Sequence, residues 1–133
     1  MTEIYLSGAC ANVSIEERNS WREETELELN GCKNIKVFNP NKHFSYDKTP
    51  NAPSKLVMDY FLSVVKRCEL VIVNLNNSAS SCGTAFEVQK AVDERKFIIG
   101  FGDENVYDYT RDCCSIVFDT LGEVIEFIYE HYV

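Results

Sequence analysis

Residues 69–75 read ELVIVNL, and this stretch decides the fold. It is apolar almost throughout, with no alternation of wet and dry positions. A strand covered on one face alternates, whereas a central strand of a parallel sheet is covered on both faces and reads as one apolar run. Working outward, EIYLS (3–7) is a second such run, and it feeds the tight loop Ser7-Gly8-Ala9. IKVF (35–38) is a short strand stopped by Asn39-Pro40, KFIIGFG (96–102) is a fourth and CSIVF (114–118) a fifth.

Helical patterns separate these strands. SIEERNSWREETELELNG (14–31) opens with Ser14-Ile-Glu-Glu17, a capping box. Glu16 and Glu17 suit the positive end of the helix, and Asn30-Gly31 suits its end. Trp21, Leu27 and Leu29 are its candidate buried positions, with the acidic remainder a solvated face. Leu56, Tyr60, Val64 and Cys68 recur at helical spacing. Another helix runs from about Gly83 to Arg95. TLGEVIEFIYEHYV (120–133) closes the chain with Leu121, Val124, Ile125, Ile128 and Tyr132 on one face. Residues 39–55 carry all three prolines without a helical period, so they read as a long loop that covers or lines a site. His43 within it is expected to be exposed, and Tyr46 and Asp47 have no assignable role.

Strands alternating with helices predict one α/β domain spanning 1–133. Its form is a flavodoxin- or Rossmann-like three-layer sandwich with a five-stranded, mostly parallel sheet in the order 2-1-3-4-5. Sheets of this kind bind ligands where the winding reverses, here between the ends of the first and third strands.

Composition narrows the function classes. The chain has 133 residues, and its formal net charge of -8 argues against nucleic-acid polymers, whose binding needs Lys and Arg at phosphates. Single nucleotides remain open. No apolar run approaches the roughly 18 residues of a membrane span. The start, MTEIYLSGAC, lacks the basic and apolar regions of a secretory signal. A cytoplasmic protein that does not engage membranes is the expectation. The six cysteines form no C-x-x-C pair and the two histidines are far apart, so no metal is expected and the thiols read as reduced and mostly buried. Cys82, beside a helix start, is where a thiolate would be favoured.

SSCGTAFEVQKA (80–91) falls at the expected site. Thr84-Ala-Phe-Glu87 is a capping box on one reading. On the other, Glu87 is a carboxylate in the first turn of a helix whose free amides, with Ser80 and Ser81 before them, cradle a phosphate. Such a carboxylate can attack the anomeric carbon of a ribosyl group as its base leaves. Arg22 has two readings, pairing with Glu26 at i+4 or binding phosphate. Trp21 reads as core before ligand platform, and Tyr5 either packs or lines the site.

Taken together, IYLSGA, the Trp21-Arg22 pair, ELVIVNL, the S-x-G-T-x-x-E element of residues 81–87 and IIGFG resemble the nucleoside 2-deoxyribosyltransferase superfamily. That superfamily includes the 2′-deoxynucleoside 5′-monophosphate N-hydrolases, and the likeness covers nearly the whole chain. The resemblance implies that Glu87 is the nucleophile, that Tyr5 and Gly8 wall the sugar, and that Gly83 and Thr84 belong to the substrate-binding motif. Ser81 stands where the transferases carry a base-contacting aspartate. A serine there resembles the hydrolases, in which it holds the 5′-phosphate. Asp59 is the candidate for the family's second carboxylate, although the family's spacing back from Glu69 reaches Phe61. Two residues turn a helix by roughly 200°. The resemblance also implies a homodimer completed by a neighbouring chain, with the C-terminal helix contributing, and no metal or organic cofactor. Three functions follow: monophosphate N-hydrolase, deoxyribosyltransferase, and non-catalytic nucleotide-binding module. The partner in each is a small nucleoside or nucleotide.

Overall fold

The computed structural model describes residues 1–11, 13–44, 51–102 and 109–133. Five strands alternate with helices: β1 (Thr2–Ser7), α1 (Ile15–Leu29), β2 (Ile35–Phe38), α2 (Ser54–Arg67), β3 (Leu70–Asn74), α3 (Cys82–Asp93), β4 (Phe97–Phe101), α4 (Tyr109–Asp112), β5 (Ile116–Phe118) and α5 (Leu121–His131). The sheet runs β2-β1-β3-β4-β5 with every pairing parallel. The expected order therefore holds. Element ends differ from the sequence reading by one or two residues, which is where helices and strands fray. The single turn α4 was not anticipated.

Period-two alternation sorts the core into two layers. Ile4 and Leu6 of β1, with Leu70 and Ile72 of β3, pack against Trp21 and Leu29 of α1 and against Leu121, Val124, Ile125 and Ile128 of α5. Tyr5 of β1, with Val71 and Val73 of β3, faces the other way, onto Val64 and Val65 of α2 and Val88 and Ala91 of α3. ELVIVNL is thus covered on both sides, as its composition demands. Each fully buried aliphatic side chain contributes on the order of 1.5–3 kcal/mol. Gly100 of β4 lies where a Cβ would come 2.7 Å from the Cys114 sulfur and 3.0 Å from Leu75 Cδ1, so this crossing admits no side chain.

Several local expectations need correction. Leu27 is 83% exposed, while Trp21, Thr25 and Leu29 form the buried stripe of α1. Residues 27 and 29 lie about 200° apart on a helix, so both cannot face the sheet. Leu56 is likewise exposed, and the buried face of α2 starts at Val64. The 39–55 segment is not structureless throughout: Pro40–Lys42 form a 3-10 turn and α2 begins at Ser54. Tyr46 and Asp47 lie outside the described residues. None of the six cysteines forms a disulfide with another, and only Cys68 is buried. Burial first, then the Glu3 carboxylate, push the Cys68 thiol up to about 12. Among the described residues no helix is long and apolar enough to cross a membrane.

Candidate active site

Parallel pairing brings the carboxyl ends of β1 and β3 to one edge of the sheet, and the loop after β3 leads into α3. That helix starts at Cys82, and its cap is Ser81, whose Oγ accepts from the Thr84 amide at 3.2 Å and shares a 2.7 Å hydrogen bond with Thr84 Oγ1. Thr84 is therefore inside the first turn rather than at the cap. Glu87 falls in the second turn, beyond reach of the cap. The capping-box reading of 84–87 fails for this reason.

Glu87 is instead held from the sheet. Tyr5 donates its hydroxyl to one carboxylate oxygen at 2.5 Å, and Ser7 donates to the other at 2.6 Å. Tyr5 and Ser7 are two apart on β1 and so project from the same face, toward α2 and α3. Tyr5 is completely buried. Its ring stacks on Phe38 with centroids 5.6 Å apart, so it both packs and reaches the site. Burial raises the Glu87 carboxyl above its ordinary value, against the Ser7 and Tyr5 hydrogen bonds and the Arg22 charge, which lower it. Burial and the Glu87 charge push the Tyr5 phenol well up, which keeps it a donor.

Arg22 does not pair with Glu26. It is 1% exposed; its Nη2 donates to the Gly8 carbonyl at 2.9 Å and its Nη1 to the Arg18 carbonyl. Its buried Nε has no hydrogen-bond partner among the described residues. Glu26 is occupied by Asn39 at 2.8 Å and Lys42 at 2.9 Å. Gly8 is a glycine because a Cβ there would lie 2.9 Å from Trp21 Cζ2 and 3.2 Å from Asn74 Cβ. Trp21 is core, edge-on to Phe101 at 5.5 Å.

These groups open onto a cleft of about 480 Å³. Gly8, Arg22, Ser81, Gly83, Thr84 and Glu87 line its polar side. Phe44, Val57, Met58, Phe61, Leu62 and Phe86 line its apolar side. A Cβ on Gly83 would meet nothing within 4 Å, so the backbone at the start of α3 is open to whatever enters. The cleft can hold an anion at the helix start, a flat apolar group against its aromatic and aliphatic side chains, and a reacting carbon near Glu87.

Asp59 is not part of this assembly. Its side chain is 55% exposed and salt-bridged to Lys55 at 2.7 Å, while Phe61 and Leu62 of the same helix face the cleft. The rotation that separates Asp59 from Phe61 has turned the carboxylate to solvent. Exposed i,i+4 pairs contribute little, about 0.3–0.5 kcal/mol. Asp59→Asn is therefore expected to leave turnover within about twofold of wild type, and a fall of tenfold or more in steady-state kinetics would place it in the reaction. Sequence reasoning missed Ser7, although its period-two relation to Tyr5 was available. It also missed the apolar wall, where Val57 and Phe61, like Met58 and Leu62, share a helix face at i,i+4.

No protein-family model and no curated protein matches the chain. Solved structures do resemble it. A conserved protein from Enterococcus faecalis V583 superposes with a TM-score of 0.75 at 17% identity, over 98% of each chain. The 2-desoxiribosyltransferase from Leishmania mexicana gives 0.70 at 14% identity over all of both chains. The Clostridium botulinum CMP N-glycosidase gives 0.64 at 16%, over 98% of this chain and 99% of that one. The chain has the fold these proteins share.

Proposed function

We propose that the cleft cleaves the N-glycosidic bond of a nucleoside 5′-monophosphate, with Glu87 as the nucleophile. The observation that carries this reading is a partly buried carboxylate on the cleft wall, with each oxygen held by a hydroxyl from β1. Structural neighbours named as a 2-desoxiribosyltransferase and a CMP N-glycosidase support the reaction class. A Glu87 oxygen attacks C1′ of the sugar as the C1′–N bond breaks, and the bonding electrons leave with the base, which takes a proton from water. Water then attacks C1′ of the ester, its surplus proton neutralising the hydroxide left by the first step, which frees the sugar phosphate and returns Glu87 as a carboxylate. A second base attacking C1′ in place of water would make the same site a transferase.

Substrate chemistry follows from the two sides of the cleft. The α3 amides, Ser81 and the buried Arg22 guanidinium suit a phosphate dianion. Phe44, Phe61 and Phe86 offer faces and edges to a nucleobase. Base release, followed by chromatography for a panel of nucleoside 5′-monophosphates, tests the reading, and release of base from none of them would remove it. Gly83→Ala is a finer test. The added methyl is free of the protein, and alanine is the better helix former by about 1 kcal/mol, so the fold is kept or strengthened. If a phosphate sits against that backbone, monophosphate binding falls by about tenfold or more. Unchanged binding in calorimetric titration would move the phosphate elsewhere.

A further inference from the structure

We propose that Ser7 is a positioning residue for Glu87, forming with Tyr5 a clamp in which each hydroxyl holds one carboxylate oxygen. The inference rests on the reading of Glu87 as nucleophile and goes beyond it to the group that orients the attacking atom.

Ser7 is completely buried in a strand whose other buried positions are apolar or aromatic. A buried hydroxyl costs free energy unless it is paired, and alanine would fill the same place without that cost. The hydroxyl is paired, to Glu87 at 2.6 Å across 80 residues of sequence. Ser7 is also rigidly placed, since its Cα partner is Val73 in the central pairing of the sheet. Side chains two apart on a strand project from one face roughly 7 Å apart at their roots. A tyrosine reaches further than a serine, so the two hydroxyls meet the two oxygens of one carboxylate arriving from α3. With only Tyr5 in place, the carboxylate would swing about a single hydrogen bond. With both, its plane is fixed, and so are the lone pairs left for attack on C1′.

The clamp also acts on charge. Hydroxyls that donate to a carboxylate favour its ionised, nucleophilic form, and they do so here against the burial that favours the acid. The other titratable groups that line the cleft with Glu87 among the described residues are Arg22 from α1, whose charge acts in the same direction, and the thiols of Cys10 and Cys82. Asp59 of α2 points away, paired to Lys55.

The test uses Ser7→Ala and Ser7→Thr, the second keeping the hydroxyl. Two readouts apply. One is the pH profile of base release from a nucleoside 5′-monophosphate. The other, independent of turnover, is the titration of the Glu87 carboxyl followed by carbon-13 NMR. In Ser7→Ala, kcat is expected to fall about ten- to a hundredfold, the weight of one hydrogen bond to a charged group, with KM within about twofold. The acid limb of the profile and the Glu87 titration both move to higher pH, and Ser7→Thr returns both toward wild type. A merely structural serine would change thermal stability without moving the titration. An unmoved titration in Ser7→Ala, or a kcat within twofold of wild type, overturns the clamp. If wild type releases no base from any nucleotide, the proposed reaction fails, yet the titration still decides whether Ser7 holds Glu87.

Discussion

Replacing Glu87 with glutamine is expected to abolish base release while the protein stays folded. Loss of the proposed nucleophile would remove the covalent route, a fall of at least about a thousandfold. The fold survives because Glu87 caps nothing: the cap of α3 is Ser81. A glutamine can still accept from one β1 hydroxyl and donate to the other. Its effect on stability has a definite sign. The Glu87 carboxyl is raised in the folded state, chiefly by burial, so the folded protein binds that proton more tightly than the unfolded chain. Stability attributable to this group is therefore full below the ordinary carboxylate range and is lost as pH rises toward the raised value. Glutamine does not ionise, so Glu87→Gln is expected to melt higher than wild type at about pH 8 and to lose that advantage near pH 4. Scanning calorimetry at the two pH values checks the sign. A variant that melts lower than wild type at about pH 8 would mean that the charged carboxylate stabilises the fold.

Nucleoside 5′-monophosphates are expected to bind more tightly than the matching nucleosides, by about ten- to a hundredfold, the weight of one charge-assisted hydrogen bond. Three features converge on that result. Free amides lie at the start of α3, the Ser81 hydroxyl shares one hydrogen bond with Thr84 Oγ1, and a buried guanidinium whose Nε has no partner among the described residues lines the same cleft. Ser81→Ala would confound the experiment, because it also removes a helix cap at a cost of about 1 kcal/mol. Glycine caps nearly as well as serine, so Ser81→Gly isolates the hydroxyl. It should reduce the preference for monophosphates while leaving nucleoside binding nearly unchanged. Calorimetric titration of both ligands into both proteins measures this. Equal binding of nucleoside and monophosphate to wild type would sink the phosphate site and favour a nucleoside transferase.

The fold was legible because apolar runs report burial directly. ELVIVNL could only sit at the centre of a parallel sheet, and the strand order followed from the alternation of elements. The site was legible in part. Small residues after β1 and before α3 marked the place, and Tyr5, Gly8, Arg22, Ser81, Gly83, Thr84 and Glu87 do gather around one cleft. What sequence could not supply was direction. A helix that starts one turn earlier than the capping-box reading requires has Ser81, not Thr84, as its cap and releases Glu87 from that duty. A buried arginine bonded to carbonyls resembles, in sequence, a surface arginine with an acidic residue four places on. Asp59 and Phe61 differ only by a rotation, and only the packing of α2 shows which of them faces the cleft. Ser7 was overlooked because a serine at the end of a strand reads as the start of a turn.

The proposed reaction turns on a covalent bond between Glu87 and the sugar. Incubating the protein with a 2′-fluoro-substituted nucleoside 5′-monophosphate, quenching in acid and mapping the peptides by mass spectrometry looks for that bond directly. The prediction is a mass gain of one fluorinated pentosyl phosphate on the peptide that contains Glu87, absent from Glu87→Gln. The same adduct on a different peptide, or base release undiminished in Glu87→Gln, would contradict it.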